Sequence, residues 1–155
     1  MRFSLPRMMQ GSYHFETETY YDQLDGQMLL HHPRYFVLVE RAQQAWIEDR
    51  LGAPRFDWRN FPDMYLVVRK LDAEYLSPIE GVQLLTVVLW PERIRAAKLV
   101  MRFELRSRDL QTVFCRGSRT NCKVNPESHE PTFWSDRFRA VVENEIQSRE
   151  SAEGG

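Results

Sequence analysis

The segment from Pro33 to Trp46, PRYFVLVERAQQAW, most constrains what this chain can fold into. Tyr35, Leu38, Val39, Ala42, Ala45 and Trp46 form a stripe at three- and four-residue spacing, the period of an α-helix. Phe36 and Val37 fill the opposite side of the first turns, so the helix is apolar nearly all round at its start and is expected to be buried there. Pro33 suits the first helical position, where its fixed φ fits and its missing N–H is no loss. The pattern turns polar after Glu48 and stops at Gly52-Ala53-Pro54.

The rest of the chain reads mainly as strands. From Tyr13 to Tyr21 the residues alternate, with Tyr13, Phe15, Thr17, Thr19 and Tyr21 on one side. Four strand-like segments follow the helix. Met64 to Leu76 opens apolar and then alternates. Val82 to Trp90 is apolar on both faces and is expected to be covered on both. Ala97 to Leu105 alternates cleanly, and Gln111 to Val124 is the last. The short connections Ser77-Pro78, Pro91-Glu92 and Ser107-Arg108-Asp109 favour antiparallel neighbours. A second helix, Phe133 to Ile146, is amphipathic through Phe138, Val141, Val142 and Ile146. The order predicts an α+β fold in which one helix fills the concave face of a curved antiparallel sheet. Residues 1–147 are expected to form a single domain, with 1–11 poorly structured and 148–155 a disordered tail.

Composition narrows the function. With 155 residues and 43% apolar content, the chain can bury a sizeable core. A net charge of −1 argues against a non-specific nucleic-acid binder. The longest apolar run, LLTVVLW, falls far short of the ~18–20 residues a bilayer needs, and MRFSLPRMMQ lacks the apolar core of a secretory signal. A cytoplasmic protein without a membrane partner is expected. Cys115 and Cys122 share one strand at odd spacing, roughly 23 Å apart on opposite faces, and cannot bridge; two free thiols are expected.

The chemistry-bearing stretch is DQLDGQMLLHHP, Asp22 to Pro33, just before the helix. An aspartate, whose carboxyl ordinarily titrates at about 3.9, is ionised at neutral pH. It can attack a carbonyl or direct a water at one, or simply cap a turn. Unpaired N–H groups at the helix start can bind an oxyanion. The adjacent His31 and His32 lack the companions a metal site needs. Asp22 reads as a solvated strand-end charge. Glu40, mid-helix on an apolar segment, is expected to pair with Arg41 of another subunit or with a strand residue. Arg69, Lys70, Arg102, Arg106 and Arg116 read as solvated outward faces. No glycine-rich phosphate loop, dinucleotide fingerprint or serine elbow occurs.

The element order and this stretch resemble the hotdog-fold acyl-CoA thioesterases, in the branch that includes the 4-hydroxybenzoyl-CoA enzyme. In that branch an aspartate is followed ten positions on by an aromatic in the first helical turn. Five further comes Glu or Asp, commonly before Arg-Ala. Asp25, Tyr35 and Glu40-Arg41-Ala42 keep that spacing, and His32 falls where one bacterial group also has histidine. YLSPIEG (Tyr75 to Gly81) looks like the family's strand-turn, and CRGSRTNCKVNPES (Cys115 to Ser128) like its last strand and following turn. The resemblance covers roughly 13–145. The sequence departs from the family where Met28 replaces the usual glycine three after the aspartate, and where Val82 replaces an acidic residue.

The resemblance implies hydrolysis of an acyl-CoA or acyl-carrier-protein thioester without metal or redox cofactor. It implies Asp25 as nucleophile or general base and the N–H of His32 as oxyanion donor, with the His32 side chain as a further candidate. Met28 and Tyr35 are candidate substrate contacts. A homodimer or tetramer with sites at the subunit boundary is expected. Two rivals stand beside this reading: a catalytically silent hotdog module that binds an acyl ligand or mediates assembly, favoured by Met28, and a hotdog dehydratase, which would typically carry histidine where this chain has Asp25.

Overall fold

The computed structural model describes residues 11–154, so most of the stretch expected to be poorly structured, 1–11, lies outside the described residues. The chain runs through β1 (Tyr13–Glu18), α1 (Arg34–Leu51), β2 (Leu66–Tyr75), β3 (Leu84–Ile94), β4 (Lys98–Ser107), β5 (Val113–Lys123) and α2 (Asp136–Gly154). The strands form one five-stranded antiparallel sheet in the order β1-β3-β4-β5-β2. Tyr35, Leu38, Val39, Ala42, Trp46 and Ile47 of α1 share the core with Leu85, Val87, Leu89, Leu99, Met101, Phe103 and Leu105 of the sheet. The α+β arrangement of an antiparallel sheet around a central helix is therefore present.

The helix begins at Arg34, with Pro33 in its cap position at φ −67°. It ends at Gly52, which takes the left-handed conformation, φ 62° and ψ 32°; its N–H and that of Ala53 close onto the carbonyls of Asp49 and Glu48. Contrary to expectation α1 is not covered all round. Phe36 and Val37 are half-buried, and Glu40 and Arg41 are exposed.

Several sequence expectations need correction. β1 stops at Glu18, and Tyr21 enters a 3₁₀ turn with 78% of its surface exposed instead of facing the core. The Ser77-Pro78 connection does not join neighbours: β2 is the edge strand beside β5, and residues 76–83 cross to β3 in the other half of the sheet. Pro91-Glu92 lies within β3, which absorbs it as a register shift against β4 between Pro91 and Arg93. β3 is buried from Leu85 to Leu89 on both faces, whereas Val82 and Leu84, in the run expected to be covered, are exposed. Gly117 lets β5 lie this close to β2, since a Cβ there would sit 1.9 Å from the Asp72 carbonyl oxygen.

The tail expected to be disordered over 148–155 is helical through Gly154. The physical reason is Arg149. Its guanidinium lies 3.7 Å from the Trp90 ring centroid, pairs with Glu153 at 3.1 Å and hydrogen-bonds the Ser12 hydroxyl. Burial lowers its pKa from the ordinary arginine value, so these partners hold a desolvated charge in place. At its other end α2 is fixed by a network in which exposed Ser135 meets the buried Asp63 and Lys123. Ser135 Oγ accepts the Phe138 N–H at 3.2 Å and donates to Asp63 Oδ2 at 2.5 Å, while Lys123 Nζ meets Asp63 Oδ1 at 2.9 Å.

Candidate active site

Asp25 sits in a tight turn between Leu24 and Leu30, which form a single antiparallel bridge. The N–H of Met28 donates to the Asp25 carbonyl at 3.0 Å, and the N–H of Asp25 to the Leu29 carbonyl at 2.8 Å. This closure requires a left-handed residue at position 28, and Met28 supplies it at φ 65°. The turn therefore keeps a closed shape with Met28 in place of the family's usual glycine. Met28 faces solvent, 52% exposed, and does not line the cleft described next.

The turn is clamped from the crossover loop. Leu30 N–H donates to Ile79 O at 2.8 Å, and Gly81 N–H to Met28 O at 2.9 Å. Thr19 ties the same loop to the end of β1, donating from Oγ1 to Gly81 O at 2.7 Å and accepting from Gln83 N–H at 2.9 Å.

The Asp25 carboxylate plays a local part as well. Its Oδ1 accepts from the N–H groups of Gln27 at 2.8 Å and Leu29 at 3.2 Å. Among the described residues no hydrogen bond falls on Oδ2. The hydrogen bonds to Oδ1 thus orient the group.

A cleft of about 340 Å³ brings this carboxylate together with the start of α1. Asp25, His32 and Tyr35 line it, with Tyr75, Leu76, Ser77 and Pro78 forming the far wall. The His32 N–H has no acceptor among the described residues. Its peptide partner, the His31 carbonyl, accepts from Arg34 N–H at 2.8 Å, which aligns that peptide with the helix axis. The His32 imidazole is exposed and meets the rings of His31 and Tyr75 edge-on, at centroid distances of 5.0 and 6.5 Å.

Tyr35 is 3% exposed, with its ring edge-on to Tyr75 at 4.9 Å. Burial raises the pKa of both phenols, and pushes the neighbouring Cys115 thiol up to about 11.

Of the sequence candidates, Asp25, His32 and Tyr35 meet in this cleft, and Asp22 is exposed outside it. Tyr75 and Leu76 also line the cleft, which the sequence alone does not signal. Their place follows from β2 lying at the sheet edge next to the start of α1, which no periodicity encodes. Glu40 does pair with a strand residue, Arg119 of β5, at 3.5 Å. The burial, however, falls on Arg119, whose pKa is lowered by desolvation, while the Glu40 side chain is 65% exposed. Glu40 does not line the Asp25 cleft. Arg106 and Arg116 are paired with Glu104 and Glu74, at 2.9 and 3.2 Å.

The fold and this cleft define a class, and the comparisons name it. The thioesterase superfamily matches residues 28–114, more than half of the chain, so the chain belongs to that superfamily and is a thioester hydrolase by class. Asp25 lies just ahead of the matched region. No curated protein matches the chain. A 1,4-dihydroxy-2-naphthoyl-CoA thioesterase from Synechocystis superposes with a TM-score of 0.74 at 11% identity, over 84% of this chain and 95% of that one. A DHNA-CoA thioesterase from Staphylococcus aureus gives 0.76 at 18%, over 93% and 95%. A hypothetical protein from the same species, in complex with CoA, gives 0.78 at 12%, over 88% and 85%. At these identities the likeness carries the fold, which is the hotdog fold.

Proposed function

We propose that this protein hydrolyses an acyl thioester of CoA or of an acyl-carrier protein in the Asp25 cleft. The carboxylate attacks the thioester carbonyl or takes a proton from the water that does. The negative charge that develops on the carbonyl oxygen is received by the N–H of His32, where the helix dipole adds to the donor. One such donor is worth about 10²–10³ in rate. The exposed His32 imidazole orders water at the rim, and Tyr35 forms the floor against the acyl group.

The observation that carries this reading is the shared cleft. Asp25 and His32 line it together; among the described residues one Asp25 carboxylate oxygen is hydrogen-bonded, the other is not, and the His32 N–H has no acceptor. CoA bound to one of the solved relatives supports CoA as the carrier. The closed Asp25 turn speaks against the silent module, because Met28 reproduces the backbone conformation that glycine would give. A hydrolysis screen across short, long and aromatic acyl-CoAs, with release of free thiol as readout, tests the proposal; no turnover on any of them would put the silent module in its place.

We further propose assembly as a dimer through the edge strand. Among the described residues β2 has a neighbour on one side only, and Val68, Leu71, Tyr75 and Leu76 are 38–46% exposed along or just past it. Two copies joined there would continue the sheet and bring each cleft, which Tyr75 and Leu76 line, to the subunit boundary.

A further inference from the structure

We infer that Tyr75 is a positioning residue for the oxyanion donor, acting through the His32 backbone; this rests on the proposed thioesterase reading. Tyr75 is the last residue of β2, 43 positions from His32 in sequence. Its hydroxyl donates to the His32 carbonyl at 3.1 Å. That carbonyl also receives the Tyr35 N–H, at a longer 3.4 Å.

These contacts matter because the start of α1 has no side-chain cap: Pro33 occupies the cap position and has no hydroxyl or carboxylate to offer. The chain at His32 is therefore held by hydrogen bonds to the carbonyls of His31 and His32, the second of which receives the Tyr75 hydroxyl at a shorter distance than the Tyr35 N–H. Arg34 holds the peptide before it through the His31 carbonyl, and Tyr75 holds the peptide after it. Together they fix both planes that meet at His32, and so the direction of its N–H.

The Tyr75 ring is itself braced. It stands edge-on against the buried Tyr35 ring, and its strand is locked to β5 by pairing with Cys115. The phenol thus carries the rigidity of the sheet to a helix start that lacks its own cap. An oxyanion donor works by being aimed before the charge appears, so loss of this restraint lowers turnover without weakening ground-state binding.

Tyr75→Phe removes the hydroxyl and keeps the ring. With the best substrate from the acyl-CoA screen, kcat should fall about five- to tenfold while KM stays within twofold and the melting temperature is held. Tyr21→Phe, a phenol on the exposed 3₁₀ turn, should leave both constants unchanged. A Tyr75→Phe enzyme with wild-type kcat would overturn the inference, as would a raised KM at unchanged kcat, which would make the phenol a substrate contact. Amide hydrogen exchange gives a readout independent of turnover. In Tyr75→Phe the Arg34 and Tyr35 amides, which close onto the His31 and His32 carbonyls, should exchange severalfold faster, with β3 and β4 unchanged. Unchanged exchange at the helix start would overturn the inference even in a protein that hydrolyses no thioester.

Discussion

Met28 closes the Asp25 turn by donating its N–H to the Asp25 carbonyl at 3.0 Å, and does so from a left-handed conformation at φ 65°. A side chain costs roughly 1–2 kcal/mol in that region, and glycine gives back part of any gain through the freedom of the unfolded chain. Met28→Gly should therefore stabilise the protein by about 0.5–1 kcal/mol in urea denaturation and keep turnover within threefold. A loss of stability would mean that the Met28 side chain packs more than its exposure indicates.

The Asp63–Lys123 pair is the buried ion pair of α2's anchorage, with side chains 7% and 10% exposed. Asp63 also receives Ser135 through its N–H and its hydroxyl. Removing one partner leaves an uncompensated buried charge, so Asp63→Ala should cost about 3–5 kcal/mol in chemical denaturation. Glu74→Ala breaks an exposed pair with Arg116 and should cost under about 1 kcal/mol.

Cys115 is fully buried, and its thiol pKa is raised from 9.0 to about 11 by desolvation. Between those values the folded protein keeps a proton that the unfolded chain releases. The stabilisation is present in full below pH 9 and is lost as pH rises through 11. The urea midpoint should fall from pH 8.5 to pH 10.5 by more in the wild type than in Cys115→Ala. Equal falls in both would remove Cys115 as a cause.

The exposed β2 edge predicts a particle of about twice the 18.5 kDa chain mass, or a multiple of that. Analytical ultracentrifugation at micromolar concentration measures this directly. Leu71→Lys, placed on the edge strand, should shift the distribution toward monomer by introducing like charges across the two-fold axis. A wild type that sediments at the chain mass contradicts dimer assembly.

Most elements were legible because the chain repeats simple periods. The apolar stripe of α1, the two-faced apolar run of β3 and the alternation of β4 each name their own environment. The order of strands was not legible. The Ser77-Pro78 turn looks like a hairpin, yet residues 76–83 carry the chain across the sheet. Only the pairing of β2 with β5 and of β3 with β1 reveals it. The end of α2 was hidden for a different reason. Its small, charged composition suggests disorder, and what orders it is one arginine reaching Trp90 and Ser12 far away in sequence. At the candidate site, Asp25 and His32 stand out through the resemblance to the thioesterases. Tyr75 does not, because it reaches the helix start by tertiary geometry alone.

If the Asp25 carboxylate performs the chemistry, Asp25→Asn should remove it. Asparagine keeps the Oδ1 acceptor that holds the Gln27 and Leu29 N–H groups, so the turn survives, but the second oxygen becomes an amide nitrogen that is neither base nor nucleophile. Measured as kcat on the best acyl-CoA substrate, the variant should lose about 10²–10⁴, or roughly 3–5 kcal/mol of transition-state stabilisation, with KM little changed. A folded Asp25→Asn protein that turns over at the wild-type rate would contradict the account.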